Sequence, residues 1–253
     1  MPGTSEAKVA LVTGALSDIG RATAQALARA GYAVMVNYRR HPEQAQALAD
    51  SLVRECNAPQ AVAIQADIRE RAQIQALFDQ IYQTFGRLDV LVNNAGINQD
   101  RPFLDMSDDA WEMVISTVLT GTFRCSQEFA RRYTGDCGNI VNIGAITAIK
   151  GRKNGANYCS ARAGVLVLTK CMALELAPRI RVNTVTPGRI NTDELRARYG
   201  LDDVQILSRM EQEVPLARLG QPDDVAGMIA FIVTAGHYVT GQNFFVDGGL
   251  FMR

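Results

Sequence analysis

Short apolar runs alternate with segments of helical period along nearly all of this 253-residue chain, and that alternation leaves few folds open. Val9–Val12 is an apolar run closed by Thr13-Gly14, the pattern of a strand buried on both faces. Ile19–Ala30 follows with helical spacing and stops at Gly31, a natural C-cap. The pairing then repeats. Strands are expected at Ala33–Tyr38, Ala61–Ile64, Val90–Val92, Ile140–Ile143, Ile180–Thr184 and Asn243–Val246. Helices are expected at Pro42–Cys56, Arg71–Phe85, Trp111–Arg132, Tyr158–Leu176 and Pro222–Val233. Asn191–Glu213 is mixed and polar and reads as two short helices, a flap at about 189–214. Such alternation predicts an α/β fold: a single-domain, Rossmann-like, doubly wound parallel sheet over residues 1–253 with helices on both faces. Its ligand crevice would lie at the carboxyl ends of the strands.

Charge narrows the function. Lys plus Arg and Asp plus Glu number 26 each, with no basic block, so no nucleic acid or anionic membrane is expected as a partner. No apolar run approaches a membrane span, and the opening Met1–Lys8 is short and polar, without the apolar centre of a signal peptide. The five cysteines (Cys56, Cys125, Cys137, Cys159 and Cys171) show neither a C-x-x-C pair nor zinc spacing, and read as reduced thiols of a cytoplasmic protein. His41 and His237 lie far apart. No metal site is expected.

Two stretches carry chemistry. Thr13-Gly14-Ala15-Leu16-Ser17-Asp18-Ile19-Gly20 joins the first strand to the first helix, where backbone N–H groups and a helix N-terminus can approach a pyrophosphate. Asn157–Arg162 opens a helix that sets Tyr158 and Arg162 four residues apart on one face. A phenol with a cation one turn away is a plausible proton-transfer pair; the plain alternative is a helix start with a surface arginine.

Together with Asn93-Asn94-Ala95-Gly96, Pro187-Gly188 and the ending Val246-Asp247-Gly248-Gly249, these stretches fall in a fixed order after the expected strands. The chain resembles the short-chain dehydrogenase/reductase family, whose pattern is T-G-x-x-x-G-x-G, N-N-A-G, Y-x-x-x-K and P-G. Its end is similar to the 3-oxoacyl-carrier-protein and acetoacetyl-CoA reductase branch. The resemblance implies an Asn–Ser–Tyr–Lys catalytic group, of which only Tyr158 is present. Val118 stands at the Asn position, Ala145 at the Ser position with Thr147 two residues away, and Arg162 at the Lys position. Valine cannot hold a relay water, and losing one donor to the substrate oxygen typically costs ~10²–10³ in rate. An arginine fork does not replace an ammonium point charge. Tyr158 therefore reads as the remnant of a catalytic residue.

The same comparison implies a nucleotide site lined by Gly14, Ser17, Asp18, Ile19, Arg39, Asp67, Ile68, Asn93, Ala95, Gly96, Tyr158, Arg162, Pro187, Gly188, Ile190 and Thr192. Asp18 replaces the motif's middle glycine. At about 5 Å and an effective dielectric near 20, its carboxylate and one phosphate charge would repel by roughly 3 kcal/mol; alternatively it turns away and caps the helix. Arg39 and Arg40 would suit a 2′-phosphate, or form a solvated surface. The expectation is that no cofactor binds tightly, with NADP (or NAD) as the ligand if the site is retained.

Apolar residues on 158–176, such as Val165, Leu166, Leu168, Met172 and Leu176, read mainly as core. In the family, helices equivalent to 111–132 and 158–176 supply the subunit interface. The apolar C-terminal segment, Phe244–Met252, also reads as tied down in an interface. Three functions follow. The first is a non-catalytic subunit assembled with an active homologue into a heteromeric NAD(P)-dependent hydroxyacyl-thioester (acyl-CoA type) dehydrogenase. That arrangement resembles acyl-CoA dehydrogenases of aromatic degradation, such as the hydroxyl-oxidising step of anaerobic toluene breakdown. The second is an active NADP-dependent 3-oxoacyl-thioester reductase using Tyr158 and Arg162, which as a homo-oligomer would need no such partner. The third is a ligand-sensing regulatory protein.

Overall fold

The computed structural model describes residues 7–252; most of the polar opening, residues 1–6, and Arg253 lie outside the described residues. Seven strands form one sheet in the order β3-β2-β1-β4-β5-β6-β7, and every pairing is parallel. The strands are β1 (Val9–Val12), β2 (Ala33–Tyr38), β3 (Ala61–Gln65), β4 (Val90–Asn93), β5 (Gly138–Ile143), β6 (Ile180–Pro187) and β7 (Asn243–Val246). The helices are α1 (Asp18–Arg29), α2 (Pro42–Cys56), α3 (Arg71–Phe85), α4 (Asp108–Ile115), α5 (Gly121–Arg132), α6 (Thr147–Lys150), α7 (Ala156–Leu176), α8 (Asp193–Tyr199), α9 (Val204–Gln212) and α10 (Pro222–Thr234).

Alternate residues of each strand feed opposite faces. Ala10, Val12, Val34, Val36 and Val92 pack with α1, α2 and α10, whereas Leu11, Met35, Leu91 and Ile140 pack with α3, α5 and α7. Strand order reverses at β1, which pairs with β2 on one side and β4 on the other. The crevice at that switch point, outside the carboxyl ends of β1 and β4, is where an open α/β sheet binds its ligand.

The expected single helix over Trp111–Arg132 is divided. A π-helical turn, Ser116–Thr120, separates α4 from α5. Hydroxyls crowd this region: Ser116 Oγ and Thr117 Oγ1 both donate to the Met113 carbonyl, and Thr122 Oγ1 donates to Val118 O. Such back-bonding competes with the regular ladder. The short α6 and a 3₁₀ turn at Phe103–Asp105 lack the length to show a period. The C-terminal segment is held partly by its own chain: the Asp247 carboxylate accepts N–H bonds from Gly249 and Phe251, and the Phe245 and Phe251 rings lie 5.7 Å apart.

Among the described residues no helix is long and apolar enough to cross a membrane, no His, Cys, Asp and Glu cluster could hold a metal, and all five cysteines are free. Burial pushes the Cys125 thiol up to about 12, while Cys137 and Cys171 are exposed. Because the thiolate is the nucleophile, iodoacetamide at pH 8 should modify Cys137 and Cys171 in the folded, unassembled chain and reach Cys125 only on unfolding, as peptide mass mapping would show.

Candidate functional site

The crevice is a cavity of about 710 Å³ running from the β1–α1 turn to the flap. The turn is built by Thr13 and Asn94. Thr13 Oγ1 accepts the N–H groups of Asn94 and Ala95 (3.0 and 3.1 Å), and the Asn94 amide donates to Thr13 O, Gly14 O and Ser17 Oγ at 2.9–3.1 Å. Gly14 has φ +59°, and a Cβ there would sit 2.8 Å from Ala95 Cα, so the two loops touch backbone to backbone. Asn94→Ala takes the donor from the buried Thr13 carbonyl, while Gly14 O keeps Ser17, and should lower stability by about 2 kcal/mol, measured by urea unfolding.

Asp18 does something neither sequence alternative foresaw. Ser17 is the N-cap of α1, its Oγ accepting the Gly20 N–H (3.2 Å). Asp18 is the first helical residue, and its Oδ2 accepts the Asp193 N–H at 2.9 Å. The carboxylate thus ties the β1–α1 turn to the first residue of the flap helix α8. The capping role passes to Ser17.

At the other end of the cavity stand Tyr158 and Arg162. Tyr158 lines the wall, with the Arg152 and Arg162 guanidinium carbons 5.1 and 5.3 Å from its ring centroid, within cation–π range. Arg162 is only 4% exposed, so it is no surface arginine. Its Nη1 donates to Ile143 O at 2.6 Å, and a Cβ on Gly96 would come within 2.5 Å of its Nη2. The guanidinium therefore lies directly against the Gly96 backbone. Ala145 lines the same cavity, as does Thr147, whose Oγ1 is buried without a partner. Val118 does not: it is fully buried with Val114, Ala161 and Val165, on the π turn behind Gly96.

The remaining expected residues divide similarly. Gly14, Ser17, Asp18, Ile19, Arg39, Asp67, Ile68, Ala95, Gly96, Pro187, Gly188, Ile190 and Thr192 all line the cavity. Asn93 is turned away, its amide donating to Ser126 Oγ and Asn142 Oδ1 in the core. Asp67 is held by Arg69, which donates three side-chain bonds of 2.5–3.0 Å, while Arg39 stands at 4.0 Å. Hydrogen bonding from Arg69 lowers the Asp67 pKa. A depressed folded-state pKa contributes stability above the unfolded carboxylate value near 4 and loses it as pH falls through the folded value. Asp67→Asn should therefore flatten the acid limb of the stability–pH curve below about pH 4, as thermal unfolding across pH would show.

Sequence reading missed the residues that pin the flap. Arg152 Nη2 donates to Asn98 Oδ1 (3.0 Å) and Asp100 Oδ1 (2.6 Å). Arg198 of α8 pairs with Asp100 Oδ2 (3.1 Å) and with Glu194, and Asn98 Nδ2 donates to Glu194 Oε1 (3.3 Å). These side chains come from two separate loops and a short helix, where no periodicity marks them.

Residues 14–251 match the sequence family described as enoyl-(acyl carrier protein) reductase. The chain is 43% identical over 252 residues to a 3-oxoacyl-[acyl-carrier-protein] reductase of Synechocystis sp., covering 97% of this chain and 98% of that protein. It is 40% identical over 248 residues to a reductase of the same name from Staphylococcus aureus, covering 97% and 98%. The chain belongs to the short-chain dehydrogenase/reductase family. A short-chain dehydrogenase/reductase described as glucose/ribitol dehydrogenase from Brucella melitensis superposes with a TM-score of 0.89 at 31% identity, covering 97% of both chains. Within this family the present chain is 3-oxoacyl-carrier-protein reductase-like over 97% of its length.

Proposed function

We propose that this chain is a cytoplasmic, non-catalytic member of its family, which assembles with an active homologue into a heteromeric NAD(P)-dependent dehydrogenase of hydroxyacyl thioesters. The observation that carries the reading is Arg162: a buried guanidinium fixed to Ile143 O and laid against Gly96 where the family places a lysine ammonium. A guanidinium is planar, permanently charged and larger than the group it replaces. At the other end of the cleft stands the Asp18 carboxylate, bound to the Asp193 N–H, whose charge disfavours a pyrophosphate beside it.

Assembly is supported by apolar side chains left on the surface. Val167 and Leu174, seven residues apart on α7, are 60% and 85% exposed, and Phe123 on α5 is also exposed. Clustered exposure of this kind marks interaction surfaces. Co-expression with a homologue carrying the complete Y-x-x-x-K group should yield a stable hetero-oligomer by native mass spectrometry. Leu174→Asp should weaken it, whereas recovery of this chain only by itself would sink the reading.

A second reading, an active 3-oxoacyl-thioester reductase, is favoured by the names of the relatives and by Tyr158, which still lines the cleft with two cations beside its ring. It requires turnover of an acetoacetyl thioester by this chain alone.

A further inference from the structure

We propose that the Tyr158 end of the cleft is a binding site for a carboxylate carried on an apolar body. The chain as a whole is neutral, with 26 basic and 26 acidic residues. Its cavity wall is not. Among the described residues it carries seven basic residues (Arg39, Arg40, Lys150, Arg152, Arg162, Arg189 and Arg198) against three acidic ones (Asp18, Asp67 and Glu194). The three carboxylates are engaged, Asp18 by the Asp193 N–H, Asp67 by Arg69, and Glu194 by Arg198 and Asn98; of the bases, Arg152 and Arg198 pair with Asp100 and Arg189 with Glu213. Lys150, by contrast, is exposed at the wall, and no described residue pairs with its ammonium.

A second observation points the same way. Thr147 Oγ1, Arg152 Nε and Arg162 Nε, all on residues of this wall, are buried and unpartnered. Each can donate a hydrogen bond, and a buried donor without an acceptor is costly, more so when charged. The ligand that answers such a wall offers acceptors only and a negative charge. An ionised carboxylate does both, and its plane matches an arginine fork. Ile97, Ile146 and Leu195 line the same cavity, which favours an organic acid over a bare inorganic anion.

This goes beyond the assembly role, and the anion would bind the chain by itself, whether or not a partner or turnover is found. The test is calorimetric titration of the whole chain, at constant ionic strength, with hexanoate, hexanamide and inorganic phosphate. Hexanoate should bind saturably, with hexanamide and phosphate each at least about tenfold weaker, the worth of one charge-assisted interaction. Lys150→Gln, an exposed position with no partner to disturb, should weaken hexanoate by about threefold or more, and Lys150→Gln with Arg152→Gln by about tenfold or more. If the double variant fails to fold, the single variant decides. No saturable hexanoate binding, equal binding of the amide or phosphate, or an affinity unchanged in Lys150→Gln would each overturn the proposal, and none would bear on assembly or turnover.

Discussion

Replacing Asp18 by glycine should raise the affinity for NADPH by about a hundredfold, read by fluorescence titration of the purified chain. The size follows from charge. A carboxylate about 5 Å from one phosphate charge, at an effective dielectric near 20, repels it by roughly 3 kcal/mol, and each 1.4 kcal/mol is a factor of ten. The contact with Asp193 adds to the effect, because the side chain now occupies an N–H at the base of the flap. Asp18→Asn separates the two contributions: it removes the charge and keeps an acceptor oxygen. It should give most of the gain if repulsion dominates, and little if the flap contact does. Either variant removes a negative charge from the first turn of α1, at a stability cost of about 0.3–1 kcal/mol.

The second large effect is on catalysis. In the Asp18→Gly background, Val118→Asn with Ala145→Ser and Arg162→Lys should bring reduction of an acetoacetyl thioester to at least ~10²–10³-fold above that background, the usual worth of one restored donor. The change is not free. Val118 is fully buried among Val114, Ala161 and Val165, so an amide there loses apolar contact and needs a partner; about 1–3 kcal/mol of stability should be lost, measurable by thermal unfolding. Because Arg162 Nη1 holds Ile143 O, the shorter lysine also releases that carbonyl and opens the space beside Gly96. If dinucleotide binds the quadruple variant without turnover, the acyl end of the pocket is at fault rather than the cofactor end.

How much of this was legible in the sequence depends on the distance over which each feature is determined. Strands such as Ala33–Tyr38 and Asn243–Val246 and helices such as Pro42–Cys56 and Arg71–Phe85 are observed over the expected spans, since periodicity and local breakers define them. The π turn at Ser116–Thr120 escaped because it depends on where hydroxyls find carbonyls, not on apolar spacing. The Asp18–Asp193 bond joins residues 175 apart; no local pattern encodes where a flap will settle. Asn93 and Asn94 are neighbours of one type, yet one amide enters the core and the other builds the β1–α1 turn. Strand alternation could have separated them, because Asn93 ends β4 and Asn94 lies just beyond it. Arg152 was invisible for a simpler reason: it is one polar residue in a polar loop, and its place over Tyr158 arises only when α6 and α7 fold together.

The central claim, that this family member has kept the frame and lost the chemistry, meets its most direct test in the unmodified chain alone. Titrating it with NADPH and NADH and then adding an acetoacetyl thioester should show no binding in the micromolar range and no oxidation of the reduced nucleotide. Micromolar binding together with turnover of the thioester would contradict the account and establish the chain as a reductase in its own right.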